Sequence, residues 1–379
     1  MLAHHFSRFR EANAGWLHFA AHSHHPWPDA TQSAHEQYWR DAATRLDRKW
    51  EKVFGEVVPA AQGHVARLLG LSDPRQVAFA PNTHEFVCRL FSCLDFSRPV
   101  RVLASAHEFH SFRRQARRLV ETGRVELVEV PAEPYATFTD RYLEETRHGR
   151  WDLLWISHVF FDSAFVVADL ERLVREAPSQ PMLVVDGYHA FCALPVDLRL
   201  IHRRAFYIAG GYKYAMSGEG TCFLAVPPGN TMRPVDTGWY ASFDTLSGPP
   251  PAEVPYTEGF RFWGSTFDPS GIYRFRAAMD WLQSTDTPIA AIRAHARTLQ
   301  EQFLAGAGTL AQALVLPAKT PRGNFLALER PDAEALHKRI LDAGVYIDRR
   351  GNRLRFGFGV YQDAADVDAL LERVRPILR

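Results

Sequence analysis

The sequence has little cysteine: four residues in 379, Cys88, Cys93, Cys192 and Cys222. None forms a C-x-x-C pair, which argues against a zinc knuckle. Long apolar runs are missing too. No stretch reaches the roughly 18 apolar residues of a membrane span, so none is expected. Met1-Leu-Ala-His-His-Phe lacks a basic segment followed by an apolar run, so no secretory leader is expected. Charge of one sign is also not in excess. With a net charge of +1, no electrostatic surplus points to nucleic acid or an acidic membrane. Internal repeats and low-complexity tracts are absent. These absences point to a reducing, cytoplasmic setting.

What is present is an ordinary globular composition, 46% hydrophobic and 23% charged. At roughly 100–200 residues per domain the length suggests two domains, at most three. Short apolar runs at Val100–Ala104, Val125–Val130, Asp152–Ser157, Met182–Asp186, Ala205–Ala209 and Thr221–Val226 read as buried strands. Amphipathic segments such as Phe112–Thr122 and Asp169–Glu176 alternate with them. That alternation predicts an α/β domain whose mostly parallel sheet is covered by helices on both faces. Pro227–Pro255, rich in Pro, Gly and Ser, reads as irregular connection. A long helical stretch is predicted over Ser270–Leu314. The tail changes character, with strands at Asn324–Leu328 and Leu354–Phe358 and helices at Asp332–Ala343 and Asp363–Leu378. In the last, Val367, Leu370, Leu371 and Val374 follow the helical period behind Asp363 as N-cap. The tail therefore reads as a smaller α+β domain.

In open α/β sheets ligands gather at the carboxyl ends of the strands. Asp186 ends Met182-Leu-Val-Val-Asp, and Lys213 follows the strand that begins at Phe206, 27 positions after Asp186. A lysine beyond a buried strand loses its proton at modest cost and can then form an imine with an aldehyde. A buried aspartate opposite a pyridine ring keeps the ring nitrogen protonated. Taken singly, either residue is more often half of an ion pair or a surface charge.

Their surroundings alter that balance. Val184-Val-Asp-Gly-Tyr-His-Ala-Phe-Cys-Ala-Leu-Pro-Val-Asp-Leu198 and Gly211-Tyr-Lys-Tyr-Ala-Met-Ser-Gly218 resemble two motifs of the class V aminotransferase superfamily, in the same order and spacing. They are most similar to those of the kynureninases. The resemblance implies a pyridoxal 5'-phosphate (PLP)-dependent fold of type I and a Schiff base on Lys213. Asp186 would pair with the pyridinium nitrogen, His189 would sit near the phenolic oxygen, and Tyr212 would reach the phosphate. It also implies a division into residues 1–40, contributing to the small domain and substrate pocket, a PLP-binding domain over 41–269 and a small domain over 270–379.

Further positions follow from physics and resemblance together. Pro81-Asn-Thr-His-Glu opens a helical pattern, a place for an anion, and Asn82 and Thr83 fall where the family binds phosphate. Plain helix capping by the same residues is the alternative. Phe109 matches the position that stacks on the ring, with His107 as the alternative and core packing as the ordinary role. Gly238-Trp-Tyr240 and Arg261-Phe-Trp-Gly-Ser-Thr266 resemble elements that complete the partner's phosphate site in a homodimer, which makes Trp239, Ser265 and Thr266 candidates. Arg355 falls where the family binds a substrate carboxylate. The histidine-dense run His18–Pro28 carries no acidic or cysteine partner at ligand spacing, so no metal is expected. His22, Ser23 and His24 instead take the place of an Asn-Ser-Leu-Gly element lining the kynureninase pocket.

The resemblance covers most of the chain and weakens on the substrate side. After Ser157-His-Val159, many class V enzymes place an asparagine near the cofactor; here Phe160 follows. Cysteine desulfurases use a cysteine on a late loop, and no cysteine follows Cys222. The expected activity is a PLP-dependent reaction on a small α-amino acid, kynureninase-like hydrolysis, with an aminotransferase using an oxo-acid acceptor as the alternative. A fold that only binds a ligand would be expected to have lost Lys213 or Asp186, and both are present.

Overall fold

A computed structural model describes residues 1–245, 248–249 and 252–377. The strands in chain order are β1 (Leu17–His18), β2 (Val77–Ala80), β3 (Val100–Ser105), β4 (Val125–Val130), β5 (Leu153–Ser157), β6 (Met182–Asp186), β7 (Phe206–Gly210), β8 (Cys222–Ala225), β9 (Phe325–Glu329), β10 (Val345–Tyr346), β11 (Asp348–Arg350) and β12 (Arg353–Gly357). Seven of them form one sheet in the order β2-β8-β7-β6-β5-β3-β4. β3 through β7 are mutually parallel, β8 runs against β7, and β2 runs against β8. Burial on both faces explains why β5, β6 and β7 are continuous apolar runs without alternation. The α/β architecture read from the sequence is therefore the observed one.

The six predicted strands of this sheet are all present; β2 is the addition. Four residues, Val-Ala-Phe-Ala, carry too little pattern to separate a strand from a helix end. The predicted helical stretch over Ser270–Leu314 is two α-helices, Ser270–Ser284 and Ile289–Gly306, followed by a 3-10 turn. Asp286 at φ +50° and Pro288, which has no N–H to donate, break it. The Pro227–Pro255 segment contains a kinked 3-10 element, Trp239–Thr245.

Two hydrophobic cores result. The larger surrounds the seven-stranded sheet and takes in Ile272, Phe275, Met279 and Leu282 of the Ser270–Ser284 helix. The smaller gathers around the β11-β12-β9 sheet with Phe303, Leu336, Ile340, Val367, Leu370 and Leu371. Residues from the chain's beginning join this second body, since β1 pairs with β10 and Phe19 lies in its core. Core packing leads us to propose the division between the two bodies at the break before Ile289. The last helix spans Ala364–Val374, capped by Asp363, which accepts from the Ala365 and Asp366 N–H groups while Asp366 accepts from the Asp363 N–H. Leu378, the expected end of that helix, lies outside the described residues. Among the described residues no helix is long and apolar enough to cross a membrane.

Candidate active site

The carboxyl ends of β3, β5, β6 and β7 point to one edge of the sheet, and a cavity of about 350 Å³ opens there. Asn82, Thr83, Phe109, Ser157, Phe161, Asp186, Tyr188, His189, Tyr212 and Lys213 are among its walls. Two glycines let the walls approach. A Cβ at Gly187 would lie 1.9 Å from the Tyr207 ring, and one at Gly210 would lie 2.2 Å from the Tyr188 hydroxyl.

Lys213 is buried, with its Nζ 2.6 Å from His189 Nε2. The amine lies 5.1 Å from the ring centres of Phe109 and Tyr188 and 5.6 Å from that of Tyr212. Burial, with help from the Arg355 charge, lowers its pKa from 10.5 to about 7, while Asp186 pulls the other way. Asp186 accepts from the Tyr188 N–H at 2.9 Å, and burial raises its pKa. Burial and the Lys213 charge hold His189 neutral, and its Nδ1 has no partner among the described residues. The two pKa values on either side of the cavity are thus pushed toward each other by the same cause, loss of water.

The anion position is a helix N-terminus. Asn82 caps the Thr83–Phe91 helix by accepting from the Glu85 N–H at 3.1 Å. Its side-chain oxygen therefore performs ordinary capping, while both residues face the cavity. Phe109 and His107 separate clearly. Phe109 faces the cavity, whereas His107 turns away to pair with Asp162 at 2.6 Å and stacks on Phe160.

Other expected residues stand elsewhere. Phe160 is a correction: it is fully buried among Phe138, Phe165 and His107, and Phe161 is the cavity wall. The chain turns sharply here, with Phe160 N–H donating to Phe165 O at 2.8 Å and Ala164 at φ +69°. Ser23 is also a correction, since its hydroxyl contacts His24, outside the cavity walls. His24 stacks on Tyr212 and lies 3.5 Å from Glu219. His22 is buried and stacked 4.5 Å from Phe325, with both ring nitrogens lacking a hydrogen-bond partner among the described residues. Arg355 is buried behind the cavity wall and is already engaged: it donates to the Phe161 carbonyl and to Asp348. Trp239 is half-exposed on Tyr240, and Thr266 is exposed; neither lines this chain's own cavity. Among the described residues no three His, Cys, Asp or Glu are grouped to hold a metal ion.

Sequence reasoning also missed Ser157 and Glu108. Ser157 ends β5 as Asp186 ends β6, so the strand-end rule applied to every strand would have found it. Glu108 is fully buried and accepts from Ser105 Oγ at 2.5 Å, Ser157 Oγ at 2.5 Å and Ser157 N–H at 3.0 Å. It ties the ends of β3 and β5 together, and burial lifts its pKa to about 7. No local signal marks an acid that will be buried.

The residues fit PLP. A buried carboxylate waits for a cation, a neutral histidine offers a free ring nitrogen, an aromatic face lies beside the lysine, and a helix N-terminus lines the same space. Comparison with known proteins agrees. The family model described as Aminotransferase class-V matches residues 16–370. No curated protein sequence matches the chain significantly. Among solved structures, the apo cysteine desulfurase from Thermococcus onnurineus NA1 superposes with TM-score 0.78 at 18% identity, covering 96% of this chain and 94% of that one. The cysteine desulfurase CsdA from Escherichia coli gives 0.79 at 18%, covering 98% of each chain. A variant of C-DES with glycine covalently linked to the PLP cofactor gives 0.82 at 16%, again covering 98% of each; a related structure names C-DES a cystine C–S lyase.

Proposed function

The chain belongs to the class V aminotransferase family of PLP-dependent enzymes, and on that premise we propose that it acts on a small α-amino acid with Lys213 as the cofactor-bearing and proton-transferring residue. The observation that carries the proposal is Lys213 itself: a buried amine at the carboxyl edge of the sheet, its pKa lowered to about 7, within 5.6 Å of three aromatic ring centres. Bound there, the cofactor supplies an electron sink for charge developing at the substrate α-carbon.

The chain's own residues do the rest. Lys213 Nζ, its pKa lowered to about 7, takes and returns a proton at the α-carbon. Asp186 keeps the ring nitrogen protonated, and that cation in turn offsets the cost of burying its carboxylate. His189 offers its free Nδ1 to the phenolic oxygen and Phe109 packs on the ring. Asn82, Thr83 and Tyr212 hold the phosphate, completed in a homodimer by Trp239 and Thr266 of the other subunit. Arg355 receives the substrate carboxylate, with His22 beside it and Phe161 as the wall.

For the reaction we propose kynureninase-like hydrolysis of a β-acyl side chain, supported by the lysine and aspartate motifs and by the aromatic walls Phe109, Phe161, Tyr188 and Tyr212. The solved structures named above include two cysteine desulfurases and a C–S lyase. None of the four cysteines lines the cavity, and burial raises every thiol, Cys93 to about 12. No thiolate stands ready to accept sulfur.

The test is product analysis with kynurenine, alanine, cysteine and cystine, each with and without an oxo acid. Anthranilate and alanine from kynurenine without an acceptor are expected. Turnover only with the oxo acid makes the chain an aminotransferase. Pyruvate and released sulfur from cystine make it a C–S lyase, and either result overturns the hydrolase.

A further inference from the structure

Arg355 lies on β12 directly opposite Asp348 on β11 in the antiparallel register, so the pair is built into the small sheet. Asp348 Oδ2 accepts from Arg355 Nη2, and the Phe161 carbonyl accepts from Nη1. Both arms of the guanidinium are therefore filled by the chain itself, and the buried Nε has no partner among the described residues. The other oxygen, Asp348 Oδ1, lies 3.4 Å from Arg350 Nη1, whose side chain is 45% exposed. His22 Nε2 approaches Oδ2 at 3.8 Å. Phe161, whose carbonyl accepts from Arg355, is a wall of the cavity, which puts the cluster directly behind that wall.

We propose that Asp348 is a displaceable counter-ion: it holds the Nη2 arm of Arg355 in the resting site, and the substrate carboxylate replaces it while Asp348 turns to Arg350. The proposal rests on the reading of Arg355 as the carboxylate receptor. Leaving a buried guanidinium unpaired is strongly unfavourable, whereas trading one carboxylate for another keeps it paired throughout. Arg350, already beside the second oxygen, receives the displaced group after a rotation of the carboxylate. Two arginines and one aspartate leave a single net positive charge, which one incoming carboxylate neutralises. The exchange also selects. A ligand without a carboxylate cannot release Asp348 without stranding Arg355, so amines of the same shape are refused.

Propionate binding to the full-length protein, followed by calorimetry, tests this without any turnover, so a failed kynurenine assay leaves the question open to decision. Asp348→Asn should bind propionate about tenfold more tightly than the wild type, because a charged competitor is gone. Adding Arg355→Gln should abolish the gain, which locates the binding. Arg350→Gln, altered at an exposed head, should weaken propionate binding, because the displaced aspartate loses its second partner; this variant decides the matter if Asp348→Asn does not fold. Equal affinity in wild type and Asp348→Asn, or in wild type and Arg350→Gln where only that variant folds, overturns the proposal.

Discussion

The two sides of the cavity are built differently. On the cofactor side, Asp186 ends β6, Lys213 follows β7 and Ser157 ends β5, so one rigid sheet sets their relative positions. On the proposed substrate side, Phe161 walls the cavity from a tight turn, and behind it stand His22 of the N-terminal segment and Asp348 and Arg355 of the small sheet. The first side is fixed by hydrogen-bonded strand register, the second by packing between two cores. A site built that way permits change at the substrate end while the cofactor end stays constant.

The difference predicts unequal consequences. Lys213→Ala should abolish the visible band of the lysine-bound cofactor and lower turnover by more than about 10³-fold. Retained absorbance and activity would mean that the cofactor side tolerates loss of its central group. Next come the paired phenylalanines. Phe160→Ala should destabilise the fold by about 3–5 kcal/mol with little change in KM, since it removes a core side chain. Phe161→Ala should cost less stability and raise KM, since one face of that ring meets the cavity. Chemical denaturation and steady-state kinetics on both variants measure the split, and the reversed pattern would return Phe160 to the pocket.

The smallest effect is in the pH dependence of stability. Glu108 has its pKa raised to about 7 in the folded chain, against an ordinary value near 4.5. Between those values the folded chain keeps a proton that the unfolded chain releases. Its contribution is full below pH 4.5 and is lost as pH rises through 7, at up to about 1.4 kcal/mol per pH unit. Glu108→Gln should flatten that slope. An identical slope in wild type and variant, read from denaturation curves across the window, would mean that Glu108 is ionised in its place between β3 and β5.

Legibility in the sequence follows the same division. Asp186 and Lys213 stood out because each adjoins an unbroken apolar strand and because the motifs around them are contiguous. Phe160 was misplaced because the residues after Ser157 leave the strand, and the turn closed by Phe160 and Phe165 decides which of two adjacent rings faces inward. The helical stretch over Ser270–Leu314 is legible from its periodicity, while the break at Asp286 and Pro288 divides it into two helices. Arg355 was found, but its partner was not. Asp348 sits in a short charged run, Asp-Arg-Arg, that looks like any exposed strand.

The alternating architecture, the strand ends and the positions of Asp186 and Lys213 are legible in the amino-acid order alone, because hydrophobic periodicity and contiguous motifs are local properties of the chain. Long-range packing settles that Phe161 rather than Phe160 walls the cavity, that Glu108 is buried and that Asp348 and the Phe161 carbonyl share the Arg355 guanidinium. Each of those depends on a turn or a cross-strand register that brings distant residues together, and no local pattern encodes the distance between them.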